Sequence, residues 1–309
     1  MTEDAAAAAE FIRGGGTAAF PTETVYGLGA DAFDAAAVAK IFAAKGRPAD
    51  NPLIVHCADV GQVSEVAAEI NAHAAALMRA FFPGPLTIVL KKNARVPAIV
   101  SAGLDTVGVR VPRLRIAREF IRACGVPVAA PSANVSGRPS PTAWQAVFDD
   151  LAGRVDCILK GDVAEIGLES TVVDCSGDAP VVLRHGAVSL EMLRNVVAET
   201  REFFGDANEA PKSPGMRHKH YSPNARVVLF DARLVREFSG RAAFIGLHEP
   251  AFDFEIVEIC PSLDLYAARL FAFFRECDRS GIEIIYCEPV EGTGIGTALM
   301  DRIRRATET

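Results

Sequence analysis

Residues 20–57 read FPTETVYGLGADAFDAAAVAKIFAAKGRPADNPLIVHC, and the rest of the chain is organised around them. The run 18–21 is short, apolar and stopped by Pro21, as a buried strand would be. Thr22, Glu23, Thr24 and Tyr26 then set hydroxyls and a carboxylate just past the strand end. Gly27 and Gly29 let the backbone turn there or approach a ligand closely. Asp34 is a good N-cap for the Ala/Val/Ile/Phe-rich run to Lys45, and Gly46 ends that helix. Lys45-Gly46-Arg47-Pro48 puts two cations on a proline-stiffened turn. Asn51 and Pro52 lead into Leu53-Ile54-Val55, a buried-looking strand that ends in His56. The predicted order is strand, polar turn, helix, basic turn, strand. In open α/β sheets, ligands bind beyond the carboxyl ends of strands. Hydroxyls, cations and an imidazole gathered at strand ends suit a ligand with phosphates and a small polar part.

Taken singly, these pieces say little. A KGRP turn alone reads as a solvated loop. The run 27–32, GLGADA, loosely fits the dinucleotide fingerprint G-x-G-x-x-G/A, but no helix opens at the glycines, because the helical pattern begins at Asp34. No Walker A sequence occurs. Taken together, PTETVYGLG, KGRP and NPLIVH, in that order, make the stretch resemble the YrdC-like family, the threonylcarbamoyl-AMP synthases.

The 309 residues suit two domains, and 50% hydrophobic residues are enough for sizeable cores. A net charge of −7 argues against a cation-coated nucleic-acid binder. Seven scattered cysteines, with no C-x-x-C pair, read as reduced thiols rather than a disulfide framework. The acidic start MTEDAAAAAEFI lacks the basic opening of a signal peptide, and no apolar run spans a bilayer. A soluble cytoplasmic protein is expected.

Along the chain, an alanine-rich helix is predicted over 4–13, closed by three glycines. Helices follow over 59–68 and 71–82, then a strand over 86–90 and a basic loop at 91–95. The segment 106–111, TVGVRV, reads as a strand carrying Arg110 between valines; periodicity alone turns that cation toward solvent. A helix is predicted over 114–124 and an apolar strand over 126–130. The loop 131–142, PSANVSGRPSPT, is rich in hydroxyls and prolines, with Thr142 the expected N-cap of the next helix. It reads as a surface turn or as a phosphate cradle. It also resembles the family's PSAN-x-SG motif. A strand is predicted over 155–159; residues 169–174, ESTVVD, and 181–186, VVLRHG, resemble further family strands.

Residues 203–224 form a polar, proline-bounded, basic linker whose His218 and His220 make a bare H-x-H, poor as a metal site. It resembles the SPGM-x-HYSP linker of the family's longer members, which folds back over the active site. Residues 225–309 read as a small α/β unit, with strands over 227–230, 242–247, 255–259 and 283–287 and helices over 263–279 and 297–306. The glycines 292–296 open the last helix and are incomplete as a fingerprint.

The resemblance implies an α/β fold: a YrdC-like twisted mixed sheet with helices and a ligand groove over 1–202, a linker acting as a lid over 203–224, and a smaller Rossmann-like domain over 225–309. It implies an enzyme joining L-threonine, bicarbonate and ATP into threonylcarbamoyl-AMP and pyrophosphate. That product feeds threonylcarbamoyladenosine formation beside the tRNA anticodon, through a separate tRNA-modifying transferase complex. It places threonine near Thr24, His56, Arg110, Ala130 and Ser170, with Arg110 pairing the carboxylate. It places ATP near Arg47, Asn51, Thr106, Ser132, Ser140, Arg184 and Tyr221. Lys45 and Arg47 would act on the phosphates, and Mg²⁺ would arrive with ATP rather than at a resident metal site. No membrane partner and no stable nucleic-acid complex are expected. Two alternatives stay open: a non-catalytic RNA-binding or ribosome-assembly module, which the acidic charge disfavours, and a carbamoyl-transfer protein of hydrogenase maturation, which the lack of C-x-x-C pairs disfavours.

Overall fold

The computed structural model describes residues 1–203, 221–231 and 240–307. The core of the expected lid, including His218 and His220, lies outside them. Among the described residues the strands form two sheets. The first contains β1 (Ala18–Phe20), β2 (Gly27–Asp31), β3 (Ile54–His56), β4 (Leu86–Lys91), β5 (Thr106–Arg110), β6 (Val128–Ala130), β7 (Cys157–Ile158), β8 (Thr171–Asp174), β9 (Val181–Arg184) and β10 (Arg201–Glu202). They lie in the order β10-β9-β8-β4-β5-β3-β6-β2-β1-β7. The sheet is mixed: β3 runs parallel to β5 but antiparallel to β6, and β4 runs parallel to β8 but antiparallel to β5. The expected mixed α/β sheet is therefore present.

Local chemistry sets the helices around it. These are α1 (Ala5–Arg13), α2 (Ala35–Lys45), α3 (Val60–Val66), α4 (Ala72–Phe81), α5 (Ala98–Ser101), α6 (Arg115–Cys124), α7 (Trp144–Leu151) and α8 (Leu190–Arg194). Asp34 caps α2 by accepting from the amides of Ala36 and Ala37, and Gly46 closes it at φ 61° in the left-handed region. Asp59 and Asn71 cap α3 and α4 in the same way. The expected cap at Thr142 is not made: α7 starts after Ala143 without a side-chain cap, and Thr142 is buried.

A second correction falls in the opening stretch. Gly27 and Gly29 do not turn the chain; they belong to β2, which pairs antiparallel with β1. A Cβ on Gly29 would lie 2.5 Å from Cγ1 of Val128, and one on Gly27 would lie 3.2 Å from the Phe20 ring. These glycines therefore let neighbouring strands and an aromatic ring close up.

The second sheet holds β11 (Arg226–Leu229), β12 (Ala242–Gly246), β13 (Ile256–Ile259) and β14 (Ile284–Cys287), in the order β11-β14-β12-β13. All its pairs are parallel. It is flanked by α9 (Leu263–Arg279) and α10 (Ile295–Thr307). Phe271, Phe273 and Phe274 of α9 are fully buried, each contributing roughly 2–3 kcal/mol of apolar burial. Leu168 and Tyr221 also pack into this second core. The two units meet tightly at Gly167, where a Cβ would lie 2.4 Å from Cα of Ala268.

Candidate active site

The sheet brings the functional groups together by register. His56 ends β3 directly beside Arg110, which ends β5. Leu86 of β4 faces Thr171 of β8, so Thr87 and Ser170 meet with their hydroxyls 2.8 Å apart. Ala130 ends β6 opposite Ile54. The turn after β1 adds Thr24, and the loop after β6 adds Ser132 and Ser140. A cleft opens over this line of residues. Of the expected site residues, Thr24, Arg47, His56, Arg110, Ala130, Ser132, Ser140, Ser170, Arg184 and Tyr221 line it. Lys45, Asn51 and Thr106 are not among the lining residues.

Arg110 is 3% exposed, so the solvent orientation drawn from its periodicity is wrong. Its guanidinium is held by protein: one terminal nitrogen donates to Oε1 of Glu23 at 2.6 Å, the other to Oγ1 of Thr24 at 2.7 Å, and Nε to the carbonyl of Gly84. Among the described residues three of its five N–H groups are thus committed, which leaves two that a ligand could engage. Burial pushes the Glu23 carboxyl up, but the charge and hydrogen bond of Arg110 outweigh it and hold the carboxyl below its ordinary range. His56 lies beside this pair. Burial, reinforced by the Arg110 charge, pushes the imidazole down to about 3, so it is neutral at neutral pH. Its Nδ1 lies 3.3 Å from the carbonyl of Ile54, and its ring meets Phe20 edge-on.

The far wall is cationic. Arg47, Arg138 and Arg184 line the cleft with Arg110. Arg47 donates to the carbonyls of Asn51 and Pro52, and burial lowers it to about 10, which leaves it charged. Arg184 donates to the carbonyl and the hydroxyl of Ser170. Lys45 behaves differently from the expectation. It is 1% exposed, and its ammonium donates to the carbonyls of Ser132 and Asn134 behind the loop. Burial lowers its pKa, with the nearby Arg47 charge adding to the effect. Its place is that of a brace for the loop rather than a group lining the cleft. Asn51 is buried, while Thr106 sits at the opposite end of β5 from Arg110.

Sequence reasoning missed several groups. Glu23 and Glu169 sat inside quoted motifs without assigned roles, although a carboxylate in an otherwise uncharged hydroxyl-rich run is a signal. Asn134 and Arg138 also line the cleft. Glu169 accepts from the Ser140 hydroxyl at 2.5 Å and from Nε of Arg302 at 2.9 Å. Nothing in the sequence pointed to Arg302. Among the described residues no cluster of three or more His, Cys, Asp or Glu could hold a metal ion. Glu169, the acid that lines the cleft, is already engaged by Ser140 and Arg302.

The family model Sua5_yciO_yrdC, described as telomere recombination, matches residues 10–186, and Sua5_C, described as the threonylcarbamoyl-AMP synthase C-terminal domain, matches residues 188–307. The chain is 42% identical to the threonylcarbamoyl-AMP synthase of Pyrococcus abyssi, across 97% of this chain and 93% of that one. It is 41% identical to the enzyme of the same name from Bacillus subtilis, across 97% and 92%. Its structure superposes on the crystal structure of P. abyssi Sua5 complexed with L-threonine with a TM-score of 0.94 at 42% identity, covering 98% of this chain and 94% of that one. The chain belongs to the Sua5/YrdC/YciO family, in the form that carries the additional Sua5 C-terminal domain.

Proposed function

We infer that this protein is a threonylcarbamoyl-AMP synthase, a nucleotidyltransferase that supplies the activated threonylcarbamoyl group for threonylcarbamoyladenosine in tRNA. The observation that carries the reading is the continuity of one cleft. A small pocket of hydroxyls, neutral imidazole and paired arginine runs directly into a wall bearing Arg47, Arg138 and Arg184. An amino acid and a nucleoside triphosphate suit such a cleft together, and the names borne by full-length relatives agree.

In the first step the threonine amine and bicarbonate form a carbamate with loss of water. A carbamate oxygen then attacks the α-phosphorus of ATP, and pyrophosphate leaves. With its pKa near 3, His56 is a poor general base, so its part is to bind and orient. Catalysis rests on holding three reactants in line and on cations placed where charge builds on phosphate oxygens. Arg47 and Arg184 fit the phosphate role, and Arg110 fits the threonine carboxylate through its two remaining N–H groups. Mg²⁺ would enter with ATP, held mainly by the triphosphate. We place the reaction in the cytoplasm, with the adenylate handed to a tRNA-modifying transferase. In support, all seven cysteines are unpaired and buried, and no described helix is long and apolar enough to cross a membrane.

The test is mass spectrometry of mixtures of protein, ATP, ¹³C-bicarbonate and each amino acid in turn. Threonine should give a labelled carbamoyl adenylate together with pyrophosphate. Equal yields from valine and threonine, or no labelled adenylate at all, would overturn the assignment.

A further inference from the structure

The wall of the cleft formed by residues 132–142 is held from behind by the second, four-stranded unit, through two buried arginines. From α10, Arg302 is completely buried, and its Nε donates to Oε2 of Glu169 at 2.9 Å. The other oxygen of Glu169 accepts the Ser140 hydroxyl at 2.5 Å. Arg302 also donates to the carbonyl of His185 at 3.0 Å, next to Arg184 in the chain. From α9, Arg275 grips Asp150 with both terminal nitrogens, at 3.1 and 2.7 Å, and reaches the carbonyl of Pro139. Asp150 in turn receives Arg138 at 2.7 Å.

We propose that Arg302 is a positioning residue for the synthase reaction: through Glu169 it fixes the Ser140 hydroxyl in the nucleotide wall, making the C-terminal unit part of the ATP site. The argument is one of proton direction. A serine hydroxyl has a single proton. While Glu169 is an ionised acceptor, that proton points away from the cleft and Ser140 shows its lone pairs to the ligand. Glu169 is buried, and the charge of Arg302 first and that of Arg184 second, with the hydrogen bonds from Ser140 and Arg302, keep it ionised there. Loss of Arg302 removes the larger of the two charges and one hydrogen bond, and so weakens the hold of Glu169 on the Ser140 hydroxyl. Thr24, His56 and Arg110, expected at threonine, have hydrogen-bond partners other than Arg302, Glu169 and Ser140, while Ser170 follows Glu169 in the chain and is held by Thr87 and Arg184.

The inference rests on the reading that Ser140 faces ATP. Four proteins separate the two ideas: wild type, Arg302→Met, Ser140→Ala and the double variant. Pyrophosphate release gives kcat and KM for ATP and for threonine, and thermal melting is recorded for each. Ser140→Ala and Arg302→Met should each raise KM for ATP by about tenfold, the size of one hydrogen bond, and leave KM for threonine within about twofold. The double variant should be no worse than the weaker single variant, because both break one chain of contacts. If Arg302→Met does not fold, Arg302→Lys keeps the charge without the fork and should show a smaller defect confined to ATP. If Ser140→Ala leaves KM for ATP unchanged, the placement of ATP at Ser140 falls. If Ser140→Ala acts but the two substitutions multiply, or if either Arg302 variant raises both KM values alike, Arg302 is only structural and the inference falls.

Discussion

Glu23→Gln is the sharpest probe of the end of the cleft proposed for threonine. The side chains of Arg110 and Glu23 are 4% and 2% exposed, with a 2.6 Å contact between them. Removing one partner of such a pair leaves the other charge buried without compensation, at a cost of about 3–5 kcal/mol. Glutamine keeps a carbonyl oxygen of the same reach, so the lower end, about 3 kcal/mol, is expected. For a chain of 309 residues that corresponds to a fall in Tm of about 5 °C. Threonine gives the assay its specificity. If its carboxylate meets Arg110, it supplies the missing negative charge, and saturating threonine should raise the Tm of Glu23→Gln more than that of wild type. Glu23→Gln combined with Arg110→Met removes both charges, so it should recover most of the lost stability while abolishing the threonine shift. Differential scanning calorimetry with and without threonine decides the matter. A Glu23→Gln protein melting within about 1 °C of wild type would show that the buried pair is not energetically coupled. An equal threonine shift in both proteins would show that the substrate carboxylate lies elsewhere.

Two further outcomes are expected. Between about pH 6.5 and 5, stability should fall as pH falls, with a slope approaching about 1.4 kcal/mol per pH unit, because unfolded His56 takes up a proton and the folded residue, lowered to about 3, does not. His56→Asn should flatten that window in urea titrations, while losses tied to Glu23 and Glu169, whose carboxyls are lowered from 4.5, should set in only at more acid pH. Lys45→Met leaves the carbonyls of Ser132 and Asn134 without their donor, a loss of roughly 2–4 kcal/mol. Calorimetric titration should show weaker ATP binding with threonine affinity unchanged, and loss of both equally would mean general unfolding.

The sequence made most of the first sheet's framework legible because its caps and strand ends are local. Asp34, Asp59 and Asn71 announce their helices, and proline closes β1 and β6. Two failures have physical causes. β2 was read as a turn because glycine is locally permissive; its presence in a strand follows from Val128 and Phe20, which reach it only in the folded sheet. Arg110 was turned toward solvent by an alternation rule that assumes one wet face, whereas this strand is covered and its cation is neutralised by Glu23, eighty-seven residues earlier in the chain. Resemblance to the family corrected Arg110 where periodicity could not. Neither route suggested Arg275 and Arg302, since an arginine on a polar helix face looks the same whether it meets water or a carboxylate of another unit.

The hydrogen-bond directions add a constraint on how the proposed substrates can lie. Thr22 gives its proton to the carbonyl of Val25, so the 2.8 Å contact between Thr22 and Thr24 is donated by Thr24. Ser132 donates to Oδ1 of Asn134 at 2.6 Å, and Ser140 donates to Glu169. Three hydroxyls of the cleft therefore present oxygen lone pairs rather than protons. Phosphate and carboxylate oxygens are acceptors, so these hydroxyls are poor partners for them as the site stands. They suit an amine, a ribose hydroxyl, an adenine amino group or metal-bound water. The anionic groups are left to Arg47, Arg138, Arg184 and the two remaining N–H groups of Arg110. Under the proposed reaction this division keeps the threonine amine against oxygen acceptors and the triphosphate against guanidinium groups.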